Sequence, residues 1–168
     1  MTVVSSSKDL QALTLTFVAE FDASVERMWQ IWEDPAQLQR WWGPPTWPAS
    51  FEQHDFVVGG QSRYYMTGPE GQKARGWWTI TAIEAPHRLE FDDGFADDDG
   101  QPLDSLKPTR AVVTFETLGS GTRMTTVTEF ADADQLERVL AMGVEEGTHL
   151  AMAQIDALVS ETLSSPES

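Results

Sequence analysis

Cysteine is absent from this sequence. Its absence excludes disulfides, thiolate metal sites and a cysteine nucleophile, and makes a cytoplasmic location the default. Histidine is nearly absent too: His54, His87 and His149 are the whole set. No two of them stand at metal-ligand spacing, and neither a Gly-x-Ser-x-Gly elbow nor a phosphate loop occurs. No metal and no organic cofactor is therefore expected. Basic residues are scarce, with 11 Lys and Arg against 27 Asp and Glu, a formal charge of −16. Such a surface repels phosphate backbones and anionic headgroups, so nucleic acid is not an expected partner. Long apolar runs are missing; nothing approaches the roughly 18 residues of a membrane-spanning helix, and no membrane insertion is expected. Residues 1–11 lack the basic start and apolar stretch of a leader peptide and read as a flexible tail. The acidic run Asp97–Asp99 lacks the glutamate and spacing of a calcium loop; Gly100 and Pro102 after it mark an exposed turn.

What is present is ample for one core. The chain has 168 residues, 40% of them hydrophobic, enough for a single domain over residues 12–163 with a short tail at 164–168. Leu13, Leu15 and Phe17 alternate with polar neighbours as in a strand. Asp22 or Ser24 can cap a short helix carrying Val25, Met28, Trp29 and Trp32 at helical spacing, and Pro35 opens a second one through Trp41. Strands then read over residues 51–58, 62–67, 76–83, 89–95, 111–118 and 122–130, punctuated by Gly59-Gly60, Gly68 to Gly71, Pro86 and Gly119 to Gly121. Strands joined by tight turns imply an antiparallel sheet. From Asp132 or Asp134 a long helix can run to Leu163.

Wound at 3.6 residues per turn, that helix places Leu136, Leu140, Gly143, Gly147, Leu150, Ala151, Gln154 and Leu158 on one face. Glu145, His149 and Asp156 fall on the other. Two glycines in the apolar stripe each cost roughly 1 kcal/mol against alanine. They read either as room for a ligand or as a notch for a bulky sheet residue. Gln154 is polar on the same stripe and needs a partner, in the sheet (Tyr64 or Tyr65) or in a bound molecule. Seven tryptophans, Trp29, Trp32, Trp41, Trp42, Trp47, Trp77 and Trp78, crowd the first half. Tryptophan fills cores, and it also lines pockets for flat or hydrophobic ligands. Trp77 and Trp78 are adjacent, so only one of them can face inward.

Several segments together resemble a known family. Phe21-Asp22-Ala23-Ser24, Val25, Trp29, Trp32, Asp34-Pro35, Leu38 and Arg40-Trp41-Trp42-Gly43-Pro44 are similar to its opening signature. Gly59-Gly60 with Arg63-Tyr64, the run Phe91 to Asp97, Gly121 to Met124, and Met142 to Gly147 follow in the family's order. This is the SRPBCC superfamily, in the branch named after the C-terminal domain of the heat-shock ATPase activator. Ser24 stands where proline is usual, and Val57 where arginine is common. The resemblance covers about residues 12–163. It implies an α+β helix-grip fold: a seven-stranded antiparallel sheet wrapped around a long C-terminal helix, two short helices after the first strand, and a hydrophobic cavity between sheet and helix.

The function this implies is binding of a small apolar or aromatic molecule, lipid-, polyketide- or hormone-like. The candidate lining is Trp32, Trp42, Phe51, Tyr65, Trp78, Phe91, Gly143, Gly147, Leu150 and Gln154. A cyclase- or dehydratase-like enzyme is the alternative. Glu52, His54, Arg63, Tyr65 and Arg75 are then the groups that could converge, although none stands in a motif that makes it an acid, base or nucleophile. A chaperone-interacting protein is a third reading, carried by the branch name alone.

Overall fold

Residues 3–103 and 107–163 are described in the computed structural model. The C-terminal tail expected at 164–168 lies outside them.

Strict alternation builds the sheet. Strand β2 (Thr14–Phe21) buries Leu15, Phe17, Ala19 and Phe21 and turns the intervening residues away. The same period recurs in β4 (Gln61–Thr67), β5 (Lys73–Glu84), β6 (Arg88–Ala96), β7 (Thr109–Leu118) and β8 (Gly121–Glu129). A sheet with one apolar face needs a cover on that face only. Helix α1 (Val25–Glu33) contributes Met28, Trp29, Ile31 and Trp32 to the cover, and α2 (Pro35–Trp41) contributes Leu38 and Trp41. Both helices start as their sequences demand. The Ser24 hydroxyl accepts from the Arg27 amide at 3.1 Å, and Asp34 caps α2 ahead of Pro35.

The sheet has eight strands, not seven, in the order β1-β2-β8-β7-β6-β5-β4-β3, every neighbouring pair antiparallel. The extra strand, β1 (Val3–Asp9), is formed by residues expected as a tail. It pairs with β2 from Val3↔Glu20 to Asp9↔Thr14. An edge strand is held by backbone hydrogen bonds and needs no apolar alternation, so its serine-rich sequence gave no strand signal. At the opposite edge, β3 (Ala49–His54) stops before Asp55, short of the strand expected to Val58, and bulges between Phe51 and Gln53.

The long terminal helix is three helices: α3 (Ala133–Ala141), α4 (Val144–Met152) and α5 (Ile155–Leu163). The first break is at Gly143, whose φ of 82° is left-handed and open without strain only to glycine. The break resets the helical phase. Of the residues aligned with Leu136 on one continuous helix, Ala151 and Leu158 stay buried, but others leave its face. Gly143 and Leu150 are exposed, Leu150 by 46%. Glu145 and His149, expected on the outer face, turn toward β1 instead. The Ser6 hydroxyl donates to Glu145 Oε2 at 2.6 Å and lies 3.0 Å from His149 Nε2. The His149 ring meets Phe17 edge-on at 5.6 Å. Among the described residues, the buried apolar side chains of the terminal helices are Leu136, Val139, Ala151, Met152, Ile155, Leu158 and Val159.

Candidate functional site

Register decides which residues meet on the helix-covered face. Directly opposed residues of an antiparallel pair point the same way. Ser62, Trp78, Asp93 and Thr109 form one such row across β4, β5, β6 and β7, and Phe51, Tyr64, Gly76 and Phe95 form the next across β3 to β6. Trp42, just after α2, and Trp32 on α1 descend onto these rows. Trp78 stacks on Phe91 with centroids 4.1 Å apart and meets Trp42 edge-on at 4.9 Å. Phe51 stacks on Tyr64 at 5.0 Å, and Trp32 lies 5.9 Å from Trp42 and 6.0 Å from Trp78. Gly76 makes the floor of this corner: a Cβ there would collide with the Tyr64 ring and hydroxyl.

Five expected lining residues, Trp32, Trp42, Phe51, Trp78 and Phe91, are thus gathered in one aromatic cluster. Tyr65 is not among them. It lies on the opposite face under Lys73 Nζ, 4.5 Å from its ring, and the Arg75 guanidinium at 5.2 Å. The inward tyrosine is Tyr64. Gln154 does not reach the cluster either; its Nε2 donates to the Gly43 carbonyl at 2.7 Å, tying the start of α5 to the loop after α2. Gly143 and Leu150 are turned away by the break in the helix. Gly147 is half-buried on α4, and a Cβ added there meets no atom within 4 Å. No tryptophan packs on it.

The cluster contains polar atoms without partners. Trp32 is 1% exposed and Trp78 0%, yet neither indole N–H has an acceptor among the described residues, and the same holds for Trp42. Trp42 Nε1–H leans toward the Tyr64 hydroxyl without reaching hydrogen-bond geometry. Burial holds the Tyr64 phenol protonated, with the nearby Asp93 carboxyl adding to the effect. Asp93 was not expected in the site. It is the polar member of the alternating series Leu89, Phe91, Asp93, Phe95, and that period is the signal that could have found it. Burial alone pushes its carboxyl up to about 7, and no described residue donates a hydrogen bond to it. Although deep in the molecule, it is half-buried rather than sealed, as are Trp42, Phe51 and Phe95.

Of the groups considered for catalysis, Glu52, Arg63 and Arg75 converge, but elsewhere. They line an open polar pocket of about 230 Å³ with Tyr64, Gly76, Asp98, Asp99 and Gly100. Arg75 Nη1 donates to Glu52 Oε1 at 3.3 Å in an ordinary surface pair. A second open pocket, of about 200 Å³, lies at the β2 and β7–β8 turns, among Phe21, Asp22, Leu118 and Thr122. Neither pocket is under α4. His54 bridges α1 and β4: its Nε2 lies 2.9 Å from the Trp32 carbonyl and its Nδ1 2.7 Å from Ser62 Oγ. A carbonyl only accepts, so Nε2 carries the proton and Ser62 donates to Nδ1. Burial lowers the His54 pKa and keeps the ring neutral. No group of three or more His, Asp or Glu among the described residues is placed to hold a metal ion, and no described helix is long and apolar enough to cross a membrane.

Residues 22–160 match the profile of the family described as activator of Hsp90 ATPase homolog 1-like proteins. The chain belongs to that family. Among solved structures similar to this chain, a protein from Arthrobacter aurescens is 59% identical over 95% of this chain and 92% of that one, with a TM-score of 0.91. One from Mycobacterium smegmatis is 49% identical over 93% and 96%, with a TM-score of 0.87. CalU16 from Micromonospora echinospora, at 17% identity over 98% and 89% with a TM-score of 0.59, shares the fold alone. No protein of curated function matches the chain. The family and the antiparallel sheet with helices on one face agree with the resemblance in the sequence; the strand count and the single long helix do not.

Proposed function

We propose that this Hsp90-activator-like protein binds a small hydrophobic or aromatic molecule at the cluster of Trp32, Trp42, Phe51, Trp78 and Phe91. The observation that carries the reading is the set of buried indole N–H groups on Trp32, Trp42 and Trp78 that have no acceptor. An unsatisfied buried donor costs about 1–3 kcal/mol. Three of them in one cluster is a heavy load for a domain stable by only about 5–15 kcal/mol. A guest with flat apolar surface would stack on the rings, and an acceptor atom on it would relieve the donors. The half-buried edge at Trp42, Phe51 and Phe95 is where such a guest would gain room. These features replace the pair Gly143 and Gly147 as the reason for a binding function.

Titration with the neutral dye N-phenylnaphthylamine tests the reading. Saturable one-to-one binding with quenching of tryptophan emission is expected, weakened by Trp42→Ala. Native mass spectrometry of the protein from its own host should show a copurifying mass. Absence of both saturable dye binding and a copurifying mass would overturn the proposal.

A further inference from the structure

We infer that the ligand carries a carbonyl or phenolic oxygen, which lodges in the corner formed by Tyr64, Asp93 and the Trp42 indole. The inference rests on the binding reading above and adds the chemistry of the guest.

A count of donors and acceptors supports it. The Trp32 and Trp78 indoles can only donate and have no acceptor among the described residues, and the Trp42 indole has only the Tyr64 hydroxyl near it, short of hydrogen-bond geometry. The Tyr64 hydroxyl is held protonated by its burial and by Asp93. An aromatic enclosure with one carboxyl would otherwise suit an organic cation. Here the donors outnumber that carboxyl, and unpaired N–H dipoles oppose a cation. Asp93 faces Trp78 across β5 and Thr109 across β7, with Tyr64 near by on β4. None of these brings a positive charge. Arg110, on the neighbouring position of β7, is engaged with Asp92 at 3.3 Å. With its carboxyl pushed up to about 7 by burial alone, Asp93 carries a proton below neutrality. It then joins Tyr64 as a second O–H donor. Two O–H donors and an indole N–H on neighbouring side chains in an apolar surround suit an oxygen bearing partial or full negative charge.

Four measurements on the full chain decide it. Naphthalene, acetylnaphthalene and naphthylmethylamine share one ring system and differ only in the polar handle. At about pH 6, acetylnaphthalene should bind about tenfold more tightly than naphthalene, the gain of a single good hydrogen bond. The amine should bind no better than naphthalene. Tyr64→Phe and Asp93→Leu should each abolish the preference, so that acetylnaphthalene and naphthalene bind the variant with equal affinity. Asp93→Asn keeps an N–H donor that does not ionise. Its preference for acetylnaphthalene should therefore persist at about pH 8, where the native protein loses part of its own. Naphthalene binding with no gain from the carbonyl would overturn this inference and leave the binding function standing. Tighter binding of the amine would also overturn it, in favour of a cation site. If none of the three binds, both readings fall.

Discussion

Asp93 stands directly opposite Trp78 in the β5–β6 register, and both side chains point to the helix-covered face. A carboxyl next to a fully buried indole, with no hydrogen bond from a described residue, has its charged form disfavoured, which is why it is pushed up to about 7. In the unfolded chain it titrates near the ordinary value of about 3.9. Below that value both states hold the proton, and Asp93 contributes no pH dependence. Between about pH 4 and pH 7 the folded state keeps a proton that the unfolded state has released, so stability falls as pH rises and then levels off. Asp93→Asn should remove this component. The difference in urea midpoint between variant and native protein should grow in the variant's favour from about pH 4 to pH 8. A difference that stays flat across that range would refute it.

Trp78 separates the indole N–H from the ring. Trp78→Ala empties a fully buried site and should cost about 3–5 kcal/mol. Trp78→Phe keeps most of the stacking on Phe91 and removes a donor that has no acceptor. The relief offsets part of the lost volume, and the net cost should stay below about 1.5 kcal/mol. Paired urea melts measure both.

Gly143 and Gly147 should respond to alanine with opposite signs. Gly147 lies inside α4, and an added methyl group meets nothing within 4 Å. Gly147→Ala should stabilise by about 1 kcal/mol through helix propensity. Gly143 has a left-handed φ of 82°, and Gly143→Ala should destabilise by about 1–2 kcal/mol. Thermal melts of the two single variants suffice, and equal signs would contradict the helix break.

Ser6 joins the edge strand to α4 through Glu145 and His149. Ser6→Ala should cost about 1 kcal/mol, with the loss confined to α4 and β1 in amide hydrogen exchange. Deleting residues 1–10 would strip β1 from β2 and bare its backbone edge. The shortened chain should melt lower and self-associate, seen as a concentration-dependent mass in light scattering. A tail without structure would leave both properties unchanged.

The chain alone determined those features whose cause is local. Two-residue alternation put Leu15 and Phe17 on one face of β2, because burial on one face imposes that period wherever the strand lies. Ser24 and Pro35 marked where α1 and α2 begin, because capping depends on residues within one turn. The same local patterns placed Trp32, Trp42, Phe51, Trp78 and Phe91 among the candidates. Tertiary structure decided the rest. Tyr64 and Tyr65 are equivalent in sequence pattern, and only the pairing of Tyr64 with Phe51 and Gly76 turns one inward. The meeting of His54 with Ser62 depends on the bulge that shifts β3 by one residue. One left-handed residue at Gly143 shifted the phase of α4, so Leu150 went outward and His149 toward β1 against a periodicity that assumed an unbroken helix. Strand β1 exists because β2 offers it a backbone edge and α4 offers Ser6 two partners, and neither condition is written within residues 3–9. The unpartnered indoles and the displaced pKa of Asp93 have the same origin: desolvation depends on everything packed around a group, and that comes from all parts of the chain.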